Sequence, residues 1–368
     1  MTESVTLFLC GDVMLGRGID QILPHPGDPS LHEPYVASAR EYVALAQRLN
    51  GPIPAPVDFS YVWGDALNEL RHAMPQARII NLETSVTRNR DFARKGINYK
   101  LNPTNVACLT AAGIDCCVLA NNHVLDFGEN GLRETLESLK RANIRTAGAG
   151  RDEAEARAPA VVEVNTGRVL VFAFGCGSSG IPPEWAAKSK KPGVSLLRDL
   201  SDRTIGAITQ IAQPARQKGD TLVASIHWGG NWGYQIGRDE VRFAHELIDT
   251  AGFDVVHGHS SHHPKAIEVY HEKPILYGCG DFINDYEGIG GYEEFRSELT
   301  LMYFPRLDRV NGGLVDFRLV PLKIRRFRLQ RATAQEADWL WQTLDRESAR
   351  FGTRVSGNDD GSLGVQWR

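Results

Sequence analysis

The chain has 368 residues, 42% hydrophobic and 23% charged, with a formal net charge of -4 and a pI near 6.3. That is ordinary globular composition, long enough for a large core of one to three domains. The charge gives no reason to expect nucleic acid or an anionic membrane as partner, and no stretch reaches the ~18 apolar residues of a membrane-crossing helix.

The N-terminus, MTESVTLFLCGD, lacks a basic leader region and a small-residue cleavage site. It reads as a buried first strand, Thr6–Cys10, of a cytoplasmic protein with no membrane anchor. Pro24 to Pro56 follows, a segment bracketed by prolines around Val36, Ala39, Val43 and Ala46, which share one helical face. It reads as an insertion with its own helix, either a lid over the first-strand loop or a surface decoration.

Further short apolar runs lie at Arg78–Ile80, Cys116–Ala120, Val169–Phe174, Thr221–Ile226, Phe253–Val256 and Pro274–Tyr277. Each ends in Gly or a polar residue, as buried strands do. Helical spacing appears in Leu132, Leu136 and Leu139, in Ile205, Ile208, Ala212 and Ala215, and in Val241, Ala244 and Ile248. Alternating strands and helices predict an α/β domain with a largely parallel core. Gly175–Gly193 is a long Gly, Ser and Pro-rich loop. Thr333 and Glu336 fit a capping box that starts a helix bearing Ala337, Leu340, Trp341 and Leu344. The last dozen residues, polar and Gly-rich, are expected to fray. Residues 1–330 are read as one domain with the insertion at about 24–56, and 331–368 as a helix and tail packed on it. The six cysteines form no C-x-x-C pair and read as small buried hydrophobes, not as a zinc-thiolate site or disulfide framework.

Five polar motifs each follow an apolar run. They are Gly11-Asp12, Asn81-Leu82-Glu83, Asn121-Asn122-His123, His227-Trp228-Gly229-Gly230 and the histidine-rich stretch His257 to His263. Ligands of open α/β sheets bind outside the carboxyl ends of strands, so the five should converge. Singly, each has a plainer reading: Asp12 as a turn or cap residue, Asn121-Asn122 as a turn, His227 as a core histidine. Four histidines in seven residues are harder to read as anything but metal ligands. The mixed oxygen and nitrogen set, without thiolate, suits zinc, manganese, iron or a similar divalent ion. Trp228, Trp232 and Tyr234 line a substrate wall or pack the core beneath the loop. Lys188, Lys190, Lys191, Arg325, Arg326 and Arg328 read as solvated surface more readily than as anion contacts.

In order and spacing, Gly11-Asp12-Val13-Met14-Leu15-Gly16-Arg17, Asn81-Leu82-Glu83, Ala120 through Gly128, His227-Trp228-Gly229, Gly258 through His262 and Leu276 through Phe282 resemble the CapA-like proteins. These are the poly-γ-glutamate capsule synthesis branch of the calcineurin-like metallophosphoesterases. The resemblance covers roughly residues 5 to 285. It implies a four-layer α/β/β/α sandwich with one or two divalent ions, zinc, manganese, iron or calcium. Asp12, Glu83, Asn122, His227, His259 and His262 would be the ligands. His123, Asp281 and His257 would be the proton-transfer candidates, and Arg17, Asn121, Trp228 and Trp232 the substrate contacts. The chain departs from the pattern at Met14, where phosphoesterases carry His, at Ser260-Ser261, and at Asp281, where Asn is usual. The resemblance implies a metal-dependent enzyme on a peptide, γ-glutamyl or other small-molecule substrate, by hydrolysis or acyl transfer. Epimerisation at a peptide α-carbon, phosphoester hydrolysis and a non-catalytic place in a polymer-synthesis assembly are the alternatives.

Overall fold

Only Thr6 interrupts the apolar run from Val5 to Cys10, a pattern expected of a strand covered on both faces. In the computed structural model, which describes residues 4–165 and 167–367, this run is the centre of β1 (Ser4–Val13), where Val5 and Leu7 through Cys10 are fully buried. On one side of β1 lie β2 (Ala77–Leu82), β3 (Cys116–Val118) and β4 (Arg145–Ala147), all parallel. A second sheet of seven strands has at its centre β5 (Gly167–Cys176), β6 (Thr221–His227), β7 (Val255–His259) and β8 (Lys273–Leu276), also parallel. The chain then returns to the first sheet. There β9 (Asp281–Ile283) runs parallel to β1, while β10 (Leu299–Asp308) and β11 (Leu314–Ile324) continue it antiparallel. The first sheet holds ten strands.

The protein is therefore mixed α/β, and the expectation of a largely parallel core needs correcting for the first sheet. Its far half is antiparallel because β10 and β11 form a long hairpin beside β1, and hairpin connection requires that direction.

Side-chain alternation places the two sheets against each other. On β5, Val169, Val171 and Ala173 join the core that contains β1 and β2. The alternate residues Leu170, Phe172 and Phe174 pack instead with α3 (Asp202–Ala215) and α4 (Arg238–Asp249), through Ile205, Ile208, Phe243 and Leu247. Leu132, Leu136 and Leu139 of α2 (Gly128–Arg141) bury against the first sheet's core. Each fully buried aliphatic or aromatic side chain contributes ~1.5–3 kcal/mol, offset by conformational entropy.

The insertion carries the expected helix, α1 (Arg40–Asn50), which buries Tyr42 and Ala46. The capping box at Thr333 and Glu336 starts α5 (Ala334–Ser348). Beyond it the tail does not fray. Arg354–Gly357 and Leu363–Gln366 form a hairpin on the edge of β11, burying Val355, Leu363 and Val365 at alternate positions. Those three apolar side chains outweigh the polar turn between them. The six cysteines are free and buried. Among the described residues, no helix is long and apolar enough to cross a membrane.

Candidate functional site

Strand register assembles the site. Near the end of β1, Asp12 pairs with Asn81 of β2 on one side and with Asp281 of β9 on the other. In-register neighbours of parallel strands project to the same face. In the second sheet, His227 of β6 pairs with His259 of β7. Both lie an even number of residues from Val223 and Val255, which face the first sheet. The two imidazoles therefore point at Asp12. One donor atom from each of Asp12, His227 and His259 lies within 4.8 Å of the others. His227 Nδ1 is 2.8 Å from His259 Nδ1, and His259 Nδ1 is 3.8 Å from Asp12 Oδ1.

Close backbone approach makes this possible. A Cβ at Gly11 would lie 1.6 Å from Gly280 O, so β1 and the crossing segment before β9 meet only with glycine there. Ser260, directly after β7, has φ 104, a conformation costly for a residue with a side chain. It aims its N–H at Asp12 Oδ2, 3.1 Å away.

Each donor is held from behind. Asn81 Nδ2 donates to Asp12 Oδ1 at 2.7 Å, and Asn121 Nδ2 donates to Asn81 Oδ1 at 3.0 Å. Ser225 Oγ lies 2.9 Å from His259 Nε2 and 3.1 Å from His257 Nδ1. Asn122 Oδ1 is 3.0 Å from His227 Nε2. Glu83 Oε1 lies 3.9 Å from His227 Nε2 and 3.7 Å from His123 Nε2, while its buried Oε2 meets no hydrogen-bond donor among the described residues, its carboxylate facing that of Asp12. A buried carboxylate oxygen left bare costs free energy unless something else satisfies it.

His123 has a backing pair that the sequence did not single out. Its Nδ1 is 2.7 Å from Asp126 Oδ2, and Lys95 Nζ is 2.8 Å from Asp126 Oδ1, an ion pair without hydrogen-bond alignment. Lys95 also donates to Asn122 O. With Nδ1–H given to Asp126, the His123 Nε2 lone pair faces Glu83. His262 is held likewise, with Nδ1 2.9 Å from Asp281 Oδ1, while Asn284 Nδ2 donates to Asp281 Oδ2 at 2.8 Å.

The electrostatics separate these groups. Burial lowers His227 and His259 well below the ordinary histidine range and brings His123 and His257 down to about 4, so all four are neutral near pH 7. Burial, then the nearby Asp281 charge, pushes Asp12 up to about 7. Burial also raises Glu83, with Asp12 and Asp281 adding to it. For His262, burial works downward, but Asp281 and Asp12 together outweigh it and favour the imidazolium. Neutral imidazoles beside carboxylates that resist joint ionisation make a pocket that favours added positive charge.

Four of the expected site residues are taken up by contacts within the protein. His257 is fully buried and holds both nitrogens in hydrogen-bond contact, Nδ1 with Ser225 and Nε2 with Cys10 O at 2.7 Å, so it ties the two sheets together. Asn121 is fully buried among Asn81, Leu82 and His123. Trp228 packs with the α3 and α4 core and donates to Tyr277 O at 3.0 Å. Arg17 is buried, bidentate to Asp285 at 2.5 and 3.2 Å and 3.2 Å from Glu33 of the insertion, with Tyr42 and Tyr99 against its guanidinium. Trp232 is half-buried, stacked 4.1 Å from Tyr292, with its ring centroid 5.2 Å from that of His262. Met14 is buried, and its Sδ lies 3.4 Å from Tyr286 OH.

All of these groups from Asp12 to Asp285 fall inside a single family match. The family described as "Bacterial capsule synthesis protein PGA_cap" matches residues 6–286. The chain belongs to this family. Among PGA_cap relatives, a "probable polyglutamine synthesis accessory protein" of Mycobacterium tuberculosis is 50% identical over 367 residues, covering 99% of this chain and 96% of that protein. The "capsule biosynthesis protein CapA" of Bacillus anthracis is 24% identical over 88% of this chain and 68% of its own length. The "PGA biosynthesis protein CapA" of Bacillus subtilis is 26% identical over 85% and 70% respectively.

Proposed function

We propose that the chain is a metal-dependent PGA_cap enzyme that cleaves or transfers an amide or γ-glutamyl bond in a peptide-type substrate. The observation that carries this reading is the buried convergence of Asp12, His227 and His259 beside Glu83, whose Oε2 meets no hydrogen-bond donor among the described residues. Donors of one ion with ~2.1 Å bonds stand about 3 Å apart, close to the spacing of the two Nδ1 atoms. Asp12, His227 and His259 would hold the ion, with Glu83 and Asn122 beside it. Met14, engaged with Tyr286, offers no nitrogen for a second ion, which favours one ion over two and an amide over a two-metal phosphoester reaction. We take the fold to be the four-layer α/β/β/α sandwich, a reading supported by the facing sheets with helices against their outer sides.

When bound, a divalent ion supplies Lewis acidity to a carbonyl or phosphoryl oxygen. His123, fixed by Asp126, accepts a proton at Nε2. His262, expected as a ligand, is fixed by Asp281 outside the Asp12, His227 and His259 cluster; in this reading it donates a proton to the leaving group, and Trp232 walls that side. His257 acts through position alone, as the tie between the sheets.

The test is metal content by mass spectrometry of wild type and of the His227→Ala, His259→Ala double variant. The expected result is about one equivalent in wild type and none in the variant. A wild type that takes up no zinc, manganese, iron or calcium sinks the reading. With the loaded protein, mass loss from a γ-glutamyl peptide supports hydrolysis, whereas deuterium wash-in at an α-carbon without mass loss supports epimerisation. A non-catalytic role is the reading favoured by the word "accessory" in the Mycobacterium tuberculosis relative's name. It predicts that Asp12→Asn lowers the melting temperature and leaves biological function intact.

A further inference from the structure

The segment from Thr87 to Asn102 carries a second feature, away from the metal-site donors. Between it and the start of the Pro-bracketed insertion lies a cavity of about 250 Å³. Its walls include Gly27 and Asp28 on the insertion side and Arg88, Arg90 and Lys100 on the other. Three cations thus face one carboxylate, and that carboxylate is already engaged. Asp28 Oδ1 accepts from Ser30 N at 3.1 Å and from Ser30 Oγ at 2.8 Å.

The cations differ in how well they are matched. Arg88 lies 3.7 Å from Glu134 and donates to Thr104 at 2.9 Å. The Arg90 guanidinium and the Lys100 ammonium have no hydrogen bond or ion pair among the described residues. Lys100 is half-buried, and its Nζ stands 4.7 Å from the centre of the Phe127 ring. An aromatic face recovers about 1 kcal/mol for such a cation, whereas removing an ammonium from water without a directly paired carboxylate costs more; Asp28 and Asp20 act on it only from a distance. Burial lowers the Lys100 pKa even against the opposing charges of Asp28 and Asp20, and the neighbouring Arg90 charge adds to the lowering. An anion in the cavity would relieve both.

We infer that this cavity binds an oxyanion, a carboxylate or a phosphate, through Lys100 and Arg90 with Arg88 at its edge. Guanidinium and ammonium together match that charge and geometry. The volume suits one anionic group and its immediate neighbours, not a whole large ligand. Thr87 on the wall is four residues past Glu83, so the two Cα atoms stand at most ~14 Å apart. The anion is then either a free small ion or the remote charged group of an extended substrate whose other end reaches the metal-site residues. The inference does not rest on the metal centre.

The test titrates inorganic phosphate and a short oligoglutamate into the full chain, with chelator present, and follows binding by calorimetry. Phosphate is expected to bind wild type, with affinity falling about tenfold or more in Lys100→Met and in Arg90→Gln at unchanged melting temperature. Equal binding with and without chelator separates this site from the metal centre. Phosphate bound without oligoglutamate assigns a free ion. Oligoglutamate bound as well, and lost in the same variants, assigns the substrate's remote group. Arg90 is exposed, so Arg90→Gln decides even where Lys100→Met fails to fold. Undiminished binding in Arg90→Gln, or no binding of either probe to wild type, overturns the inference.

Discussion

Asp285→Ala should destabilise the protein by ~3–5 kcal/mol, the range for breaking a buried ion pair and leaving one charge uncompensated. The Arg17 and Asp285 side chains are each 1% exposed, so water cannot replace the lost carboxylate. The substitution removes two guanidinium contacts, at 2.5 and 3.2 Å, and the acceptor for Gly18 N at 2.9 Å. Glu33 remains 3.2 Å from Arg17 and keeps the cost from rising above that range. For 368 residues at ~2.1 cal/mol/K per residue, the unfolding entropy is roughly 0.8 kcal/mol/K, so the melting temperature should fall by about 4–6 °C. Differential scanning calorimetry on metal-free protein reads this directly. Adding Arg17→Met to Asp285→Ala should recover part of the loss, because the guanidinium left with Glu33 alone is then gone while Glu33 keeps the hydrogen bond from Tyr42 OH. A fall under about 1 °C for Asp285→Ala, or no recovery in the double variant, would refute the argument that Arg17 depends on buried charge pairing.

Asp126→Asn leaves His123 Nδ1 without its carboxylate and should lower kcat by ~10²–10⁴-fold once a substrate is found, with KM little changed; a loss confined to KM would count against His123 as the proton acceptor. His257→Gln tests the inter-sheet tie through pH. Burial lowers the folded-state value of His257 to about 4, and the unfolded chain binds that proton below about 6.5. The stability present above about pH 6.5 is thus lost as pH falls toward 4, and the variant should lose less across that window by thermal melting; identical slopes would reject the assignment. Chelator should lower the melting temperature of the loaded protein by a few degrees, since an ion at 100 times its Kd contributes ~2.7 kcal/mol. Zinc or manganese should restore it in wild type and leave the His227→Ala, His259→Ala variant unmoved.

Much of the frame was legible because its chemistry follows its hydrophobicity. Arg78–Ile80 and Thr221–Ile226 are short apolar runs, and the strands built on them carry Asn81 and His227 at or next to their last residues. Thr333 and Glu336 carry their helix start in their own spacing. The orientation of Trp228 was also implicit. In a strand of period two, the residue after an inward-facing His227 points outward, and Trp228 does so, into the α3 and α4 core. Arg17 was harder. An arginine in a glycine-rich motif resembles an anion contact, and only the distant Asp285 and Glu33 reveal that its charge is taken. Lys95 lies in a polar loop with no periodicity, so nothing local marks its approach to Asp126. The hairpin of β10 and β11 alternates imperfectly, and its place beside β1 is decided by pairing across the chain.

The three central donors come from both sheets, with Asp12 on β1 and His227 and His259 on β6 and β7. More than half of the polypeptide lies between the first donor and the second. On the ribosome, the N-terminal carboxylate emerges long before either histidine exists, and no partial chain ending before β7 can present the full set. Capture of the proposed ion would therefore be a late event, one that would report that the two sheets have closed on each other in the right register. A chain whose halves docked out of step by one residue would turn its histidines toward the helices and could carry no such seal.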